Sequence, residues 1–159
     1  MVRGAVPLVP GGTGRVSACA GRRAGPSAGA GAGVGDVREI AIGGLEGADF
    51  LDNTRSLAPD VMPAEPLRLT GPTDRVVAST AEVELRDEQA GRRLVSSTRG
   101  TAKTVVWNPW DTGAADMADS PDAAWTDCVC IEPAVAKDGY VRLEPGSSHT
   151  LGVTYRIER

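Results

Sequence analysis

Residues 82–95 read EVELRDEQAGRRLV, and this stretch predicts a β-hairpin. Val83 and Leu85 alternate with charged residues, which is the period of a strand with one buried face. The turn signals of residues 87–91 follow, and Leu94-Val95 begins the return strand. A loop of about five residues is typical of the longer hairpin connections. The stretch therefore indicates an antiparallel sheet.

Further short apolar runs with turn residues between them lie on both sides of this hairpin. Strands are predicted around the following apolar positions: Val37 to Ile42, Leu67 and Leu69, Val76-Val77, Val105 to Trp107, Cys128 to Glu132 with a disturbance at Pro133, Tyr140 to Glu144, and Val153 to Ile157. Residues 49–66 and 111–126 are predicted to be loops, the second with room for a short helix. Many short strands predict an all-β antiparallel fold, a β-sandwich or a part of one.

The composition changes sharply near residue 34. Residues 1–35 contain four arginines, no acidic residue, ten glycines and seven alanines, whereas the other 124 residues carry 13 basic and 21 acidic groups. The Gly/Ala run at 28–33 cannot bury enough surface to offset its ordering entropy. We therefore predict a disordered leader at 1–33 and a β-domain at 34–159.

Charge and cysteine content restrict the partners and the compartment. A net charge of −4 argues against nucleic acid, because phosphate backbones select basic surfaces. No apolar run is long enough to predict a membrane span. The three cysteines and one histidine do not form a metal-site pattern, and we predict reduced thiols in a cytoplasmic protein.

An ordered set of motifs resembles the C-terminal half of the hexose-6-phosphate mutarotases, also called glucose-6-phosphate 1-epimerases, of the aldose 1-epimerase superfamily. The motifs are Val34-Gly35-Asp36, Gly44-Leu45-Glu46-Gly47, Asp49-Phe50-Leu51-Asp52, Thr73-Asp74-Arg75-Val76, Val105-Val106-Trp107-Asn108-Pro109-Trp110, Met117-Ala118-Asp119 and Val129-Cys130-Ile131-Glu132-Pro133-Ala134. The resemblance covers residues 34–159. It implies an antiparallel β-sandwich of the galactose mutarotase type, here its C-terminal part, that binds a small-molecule sugar phosphate and interconverts the α and β anomers.

The resemblance also implies the site residues. Anomer exchange opens the sugar ring, so a base takes the proton of the C1 hydroxyl while an acid protonates the ring oxygen. In this family a glutamate is the base and a histidine is the acid, and Glu132 stands at the glutamate position. No metal or redox cofactor is implied, because proton transfer needs neither. Without the resemblance, an exposed glutamate at a strand end would be the simpler interpretation of Glu132.

Asp74 matches a family aspartate that accepts hydrogen bonds from sugar hydroxyls, a task that suits a two-oxygen acceptor. On its own it reads as a turn aspartate, and Arg75 is a candidate to pair with it. Trp107 and Trp110 have faces that can stack on a sugar, although core packing is the simpler interpretation. His149 is predicted to be a surface residue.

The chain departs from the family at the acid. Counting back from Asp36 in the family spacing puts the histidine at Gly29, and glycine cannot transfer a proton. The resemblance therefore implies a truncated chain with weak or no activity, whose residues 1–33 are foreign to the family. A noncatalytic carbohydrate-binding or interaction module derived from the same fold is the alternative.

Overall fold

The computed structural model describes residues 34–116 and 124–159, together with the backbone of three strands nearer the N-terminus. The strands are Val2–Leu8 (β1), Gly14–Arg15 (β2), Cys19–Ala20 (β3), Ala41–Gly43 (β4), Asp49–Asp52 (β5), Ala58–Val61 (β6), Thr73–Val77 (β7), Val83–Asp87 (β8), Arg92–Arg99 (β9), Lys103–Asn108 (β10), Val129–Val135 (β11) and His149–Glu158 (β12). The helical elements of this part are Trp110–Ala114 (α1) and short 3₁₀ turns at Asn53–Arg55, Ala124–Asp127 and Lys137–Gly139.

The strands form two antiparallel sheets. The five-stranded sheet has the order β1-β12-β9-β8-β4, and the seven-stranded sheet has the order β2-β11-β10-β7-β5-β6, with β3 also pairing with β11. The hairpin predicted from residues 82–95 is β8 and β9, in which Leu85 pairs with Leu94. The predicted all-β antiparallel class is confirmed.

The main core lies between the two sheets. It combines Ile42, Val83 and Leu85 of the five-stranded sheet with Val106 and Ile131 of the seven-stranded sheet. Alternate residues of the seven-stranded sheet point away from this core, and a second cluster forms there. Its buried members are Val76, Val105 and Ala134. We call the side of the seven-stranded sheet that carries this second cluster its outer face.

Two segments differ from the predicted strands. Residues 49–66, predicted to be a loop, contain β5 and β6. Pro59 lies within β6, the last strand in the order of its sheet, and proline is tolerated on such a strand because its missing N–H interrupts no ladder there. The alternating residues 140–144 form no strand. Tyr140 and Val141 are exposed, and Leu143 alone of the apolar residues here packs against a buried cluster, that of Val135 and Leu151.

Pro133 does not end β11, although the sequence predicts a disturbance there. The Ala134 N–H donates to Thr101 Oγ1 at 2.9 Å, and the Ala134 carbonyl accepts from the Ala102 N–H at 3.1 Å. These partners precede β10, so the Ala134 backbone faces the β10 side. Peptide groups alternate in direction along a strand. The Pro133 nitrogen therefore faces the opposite edge, where a missing N–H breaks no bond to β10.

The hairpin turn is held by a buried carboxylate, Asp87. It accepts from the backbone N–H of Ala90 at 3.1 Å and from the Arg92 guanidinium at 3.3 Å. The backbone N–H of Gly35 also donates to Asp87, at 3.0 Å. A Cβ on Gly35 would lie 3.0 Å from Gln89 Oε1, so glycine allows the close approach. Asp87 thus fixes the start of the β-domain to the five-stranded sheet.

The N-terminal strands pair with the β-domain through their backbones. β1 pairs along β12, while β2 and β3 pair with different parts of β11. The sequence pattern predicts none of these three strands. The Gly/Ala run at 28–33 and the Met117-Ala118-Asp119 motif lie outside the described residues. The division of the chain at residue 34 stays a prediction.

The cysteines differ from the prediction of reduced thiols. Cys130 is disulfide-bonded, so the prediction is wrong for this residue. Cys128 carries a free thiol. Burial, together with the nearby Asp127 carboxylate, raises the pKa of the Cys128 thiol.

A first testable prediction concerns Ser96 in β9, whose buried hydroxyl has no hydrogen-bond partner in the described structure. We expect Ser96→Ala to raise the free energy of unfolding by about 1 kcal/mol, because it removes a polar group that folding has desolvated without compensation. Urea unfolding followed by circular dichroism measures this. The matched control is Ser97→Ala, which loses a hydrogen bond to Glu82 and should not gain stability. A Ser96→Ala variant less stable than the native chain would contradict the assignment.

Candidate functional site

Three adjacent strands bring the two predicted site residues onto one face of the seven-stranded sheet. Glu132 in β11 pairs with Val105 in β10, and Asp74 in β7 pairs with Trp107 in β10. Directly paired residues of antiparallel strands point to the same side, as do residues two apart on one strand. Since Val105 belongs to the outer cluster, Glu132 and Asp74 also point to the outer face.

The register also sets the approximate separation of the two carboxylates. They lie two strands apart and two residues out of register, which corresponds to roughly 12 Å between their Cα atoms.

Glu132 is buried, with 4% of its surface exposed. Its position excludes the interpretation of an exposed strand-end glutamate, because β11 continues to Val135 and Glu132 lies in its middle. Its neighbours on the same face are Cys130 and Ala134, whose side chains are small and buried. The sequence without the resemblance favoured an exposed glutamate, and the burial of Glu132 corrects that interpretation.

Asp74 is half-buried and is oriented by a neighbouring amide. Asn53 Nδ2 donates to Asp74 Oδ1 at 2.8 Å, from the 3₁₀ turn that follows β5. The Arg75 guanidinium lies 4.7 Å from the centre of the Phe50 ring, on the opposite face of the sheet. The suggested Asp74–Arg75 pair is therefore absent, because consecutive residues of a strand point to opposite faces. Among residues 34–116 and 124–159, Asn53 is the side chain that donates to Asp74, and the second carboxylate oxygen can accept from a ligand.

The two tryptophans of the Trp107 to Trp110 motif lie in different surroundings. Trp107 packs with the outer cluster, and its register position is between Asp74 and Cys130. Trp110 packs against the main core, with its ring centroid 4.6 Å from that of Trp125. Core packing thus accounts for Trp110, whereas Trp107 stands on the same face as the two carboxylates.

Asn108 clamps the segment that leads into β11, a role that the sequence analysis missed. Its Nδ2 donates to the carbonyls of Trp125 and Cys128, at 2.9 and 2.5 Å. Its Oδ1 accepts from the Trp110 N–H at 2.8 Å. The side chain is almost fully buried, and Trp110 adopts a positive φ of 60° beside it. A polar residue at the end of the apolar run Val105 to Trp107 was the signal for such a clamp.

A cleft of about 640 Å³ opens on the outer face and is lined by neither of the two carboxylates. Leu51, Val76 and Lys103 form part of its wall. Lys103 Nζ is 2.9 Å from Asp138 Oδ1. This volume suits a small ligand. We call it the outer-face cleft.

A second cleft of about 680 Å³ lies at the other face of the same sheet. Arg68, Arg75 and Arg86 line it together with acidic side chains, among them Glu65 and Glu88. The balance of charges gives it no strong preference for an anion. We call it the arginine cleft.

The described residues were also compared with the requirements for a metal site and for a membrane-spanning helix. Among residues 34–116 and 124–159, no group of histidine, cysteine and acidic side chains is arranged to hold a metal ion. Within the same residues, no helix is both long enough and apolar enough to cross a membrane. His149 begins β12, half-buried, with a ring nitrogen against the Gly100 carbonyl.

The family model for aldose 1-epimerase matches residues 34–156. A curated protein of Cenchrus ciliaris, named "Putative glucose-6-phosphate 1-epimerase", is 32% identical over 114 residues, which is 71% of this chain and 34% of that protein. The chain therefore spans about a third of the length of the curated relative that it matches.

Two solved structures share the fold. The first, named as a putative mutarotase (YeaD) from Salmonella typhimurium, has a TM-score of 0.69 and 21% identity, over 79% of this chain and 42% of that one. The second, named as a putative aldose 1-epimerase (b2544) from Escherichia coli K12, has a TM-score of 0.55 and 14% identity, over 76% and 46% of the two chains. Together with the family model and the curated relative, the arrangement of the sheets leads to one conclusion: the chain belongs to the aldose 1-epimerase family.

Proposed function

We propose that this chain binds a hexose 6-phosphate and promotes exchange between its α and β anomers, with Glu132 as the base and Asp74 as the anchor for sugar hydroxyls. The observation that carries the proposal is the register by which both carboxylates point to the outer face of one sheet. The name of the Cenchrus relative supports glucose 6-phosphate as the substrate.

The chemistry assigns one step to each group. The Glu132 carboxylate takes the proton from the C1 hydroxyl, electrons move to form the C1 carbonyl, and the bond from C1 to the ring oxygen breaks. The ring oxygen then needs a proton. Rotation about the C1–C2 bond and closure on the other face of the carbonyl complete the exchange. Asp74 holds the sugar hydroxyls so that C1 stays beside Glu132.

The ring oxygen needs a proton donor, and the position that aligns with the family's acid supplies none. The family's acid aligns with Gly29, which lies outside the described residues and has no side chain to donate a proton. We propose that water supplies the proton and that exchange is correspondingly slow. A positioned acid typically contributes about 10²–10⁴-fold, so the chain should work below the rate of a complete acid–base pair by this factor.

Two-dimensional exchange NMR of ¹³C1-labelled glucose 6-phosphate tests this function. The expected result is exchange faster than the spontaneous rate in the native chain and equal to it in Glu132→Gln. Equal rates in both proteins, at the spontaneous value, would contradict the enzyme proposal. Binding without exchange would support the alternative of a noncatalytic sugar-binding module, which the glycine at the acid position favours.

The role of Asp74 gives a prediction about binding. We expect Asp74→Ala to weaken the binding of glucose 6-phosphate by about 10- to 100-fold, because a hydrogen bond to a charged group contributes about 1.5–3 kcal/mol. Isothermal titration calorimetry measures it. Asn53→Ala is the control, because it removes the hydrogen bond to Asp74 but leaves the carboxylate in place. An Asp74→Ala variant that binds as tightly as the native chain would remove Asp74 from the site.

A cytoplasmic location accompanies the proposal of a sugar-phosphate substrate. The disulfide at Cys130 favours an oxidising compartment instead, because stable disulfides are rare in reducing compartments. A count of free thiols in protein purified from the native host under alkylating conditions distinguishes a cytoplasmic location from an oxidising compartment. Three alkylated cysteines would fit the cytoplasm, and one would fit an oxidising compartment.

A further inference from the structure

One backbone carbonyl of β11 next to Glu132 faces away from β10. On this edge, Val129 and Cys130 pair with β3, and Ala134 and Val135 pair with β2. By the alternation that orients Ala134 towards β10, the carbonyl of Ile131 points to the same edge. The peptide carrying that carbonyl also carries the N–H of Glu132.

A tyrosine from the other sheet reaches this peptide. Tyr155 in β12 pairs with Ser96, which in turn pairs with Val83 of the main core, so the Tyr155 side chain points into the space between the sheets. Its hydroxyl donates to the Ile131 carbonyl at 3.3 Å, in a buried setting. Tyr155 itself is 7% exposed.

The same tyrosine is electrostatically coupled to the candidate base. Burial raises the pKa of the Tyr155 hydroxyl, and the Glu132 charge raises it further. The hydroxyl therefore stays protonated and remains a hydrogen-bond donor throughout the working pH range. The Tyr155 hydroxyl lies close enough to Glu132 for the carboxylate charge to act on it.

We infer that Tyr155 is a positioning residue for Glu132: the Tyr155 hydroxyl holds the Ile131–Glu132 peptide from the other sheet and so helps to fix the place of the carboxylate. The inference rests on the proposed function for its catalytic meaning. The hydroxyl contacts the peptide, not the sugar. Its loss should therefore change the rate of the chemical step more than the binding of the substrate.

The two tyrosines of the chain provide a matched pair of variants. Tyr155→Phe keeps the ring and removes the hydroxyl, while Tyr140→Phe does the same at a side chain that is 75% exposed. In the Tyr140→Phe background, biosynthetic 3-fluorotyrosine replaces Tyr155 alone and keeps its hydroxyl. This protein serves as the conservative replacement.

The first measurement is amide hydrogen exchange by NMR. We expect Tyr155→Phe to speed exchange of the Glu132 amide by about 3- to 10-fold, and to move the Glu132 side-chain carboxyl ¹³C resonance, because one hydrogen bond on its peptide is lost. Tyr140→Phe and the fluorotyrosine protein should match the native chain. If the Glu132 amide and carboxyl are unchanged in a folded Tyr155→Phe variant, the inference is overturned.

The second measurement separates this inference from the proposed function. In the glucose 6-phosphate exchange assay, Tyr155→Phe should lower kcat by about 3- to 10-fold, with KM changed by less than twofold. A change in KM alone would assign Tyr155 to substrate binding and overturn the positioning role. If the native chain shows no Glu132-dependent exchange, the proposed function fails, and the amide measurement alone decides whether Tyr155 positions Glu132.

Discussion

Glu132→Gln is expected to lower the exchange of glucose 6-phosphate anomers by about 10²–10⁴-fold in a protein that supplies both an acid and Glu132. Glutamine has nearly the same shape as glutamate but cannot accept the C1 proton at neutral pH. It therefore removes the base while leaving the packing beside Cys130 and Ala134 almost intact. A loss in kcat with little change in KM is the expected form, because the proton transfer belongs to the transition state.

The full effect of Glu132→Gln is measured in a chimeric protein that is designed to supply an acid as well. Residues 1–33 are replaced by the part of the Cenchrus relative that precedes its match to this chain, to test whether that part supplies an acid. Glu144→Gln is the control, since Glu144 is exposed and lies beyond β11. Full activity in Glu132→Gln would show that another residue is the base. Rates of the 159-residue chain equal to those of the chimera would show that the acid does not come from the added part.

Asn108→Ala is expected to lower the free energy of unfolding by about 3 kcal/mol. The substitution removes three hydrogen bonds and leaves the carbonyls of Trp125 and Cys128 without this donor inside the protein. Urea unfolding by tryptophan fluorescence measures the change. In the Asn108→Ala variant, the fluorescence should also show that the Trp110–Trp125 contact is lost at a lower urea concentration than in the native chain.

Two controls make the Asn108 result specific. Asn53→Ala removes a single, exposed hydrogen bond and should cost less than about 1 kcal/mol. Asn108→Asp keeps the acceptor for the Trp110 N–H but places an oxygen against two carbonyls, and should be at least as destabilised as Asn108→Ala. An Asn108→Ala variant within about 0.5 kcal/mol of the native chain would contradict the clamp, because surface substitutions away from such features usually change stability by no more than this.

The strands with strict alternation could be predicted from the sequence. In β8, Val83 and Leu85 are buried while Arg86 is exposed, so the side chains follow the period of two. The burial is less regular in β9 and at the end of β12, where Val95 and Ser96 are both buried and Ile157 is exposed. β6 could not be predicted, because Pro59 argues against a strand unless it lies at an edge. The alternation at 140–144 was misleading, since periodicity does not say whether a neighbouring strand exists.

The site could be predicted only in part. The resemblance supplied Glu132 and Asp74 as residues, but their common face depends on the register of β10 with both its neighbours, and local sequence does not determine register. Tyr155 acts from the other sheet, 24 positions along the chain from the carbonyl that it contacts. Such a contact leaves no local pattern. Asn108 left only a weak signal, a polar residue that follows the apolar run Val105 to Trp107.

The central claim is that Glu132 and Asp74 form one sugar-phosphate site on the outer face. The most direct test is a titration of the ¹³C-labelled chain with glucose 6-phosphate, following the side-chain carboxyl resonances of both residues by NMR. The account predicts that both resonances move and that both curves give the same Kd. Movement of neither resonance, or changes confined to Arg68, Arg75 and Arg86 in the arginine cleft, would contradict it.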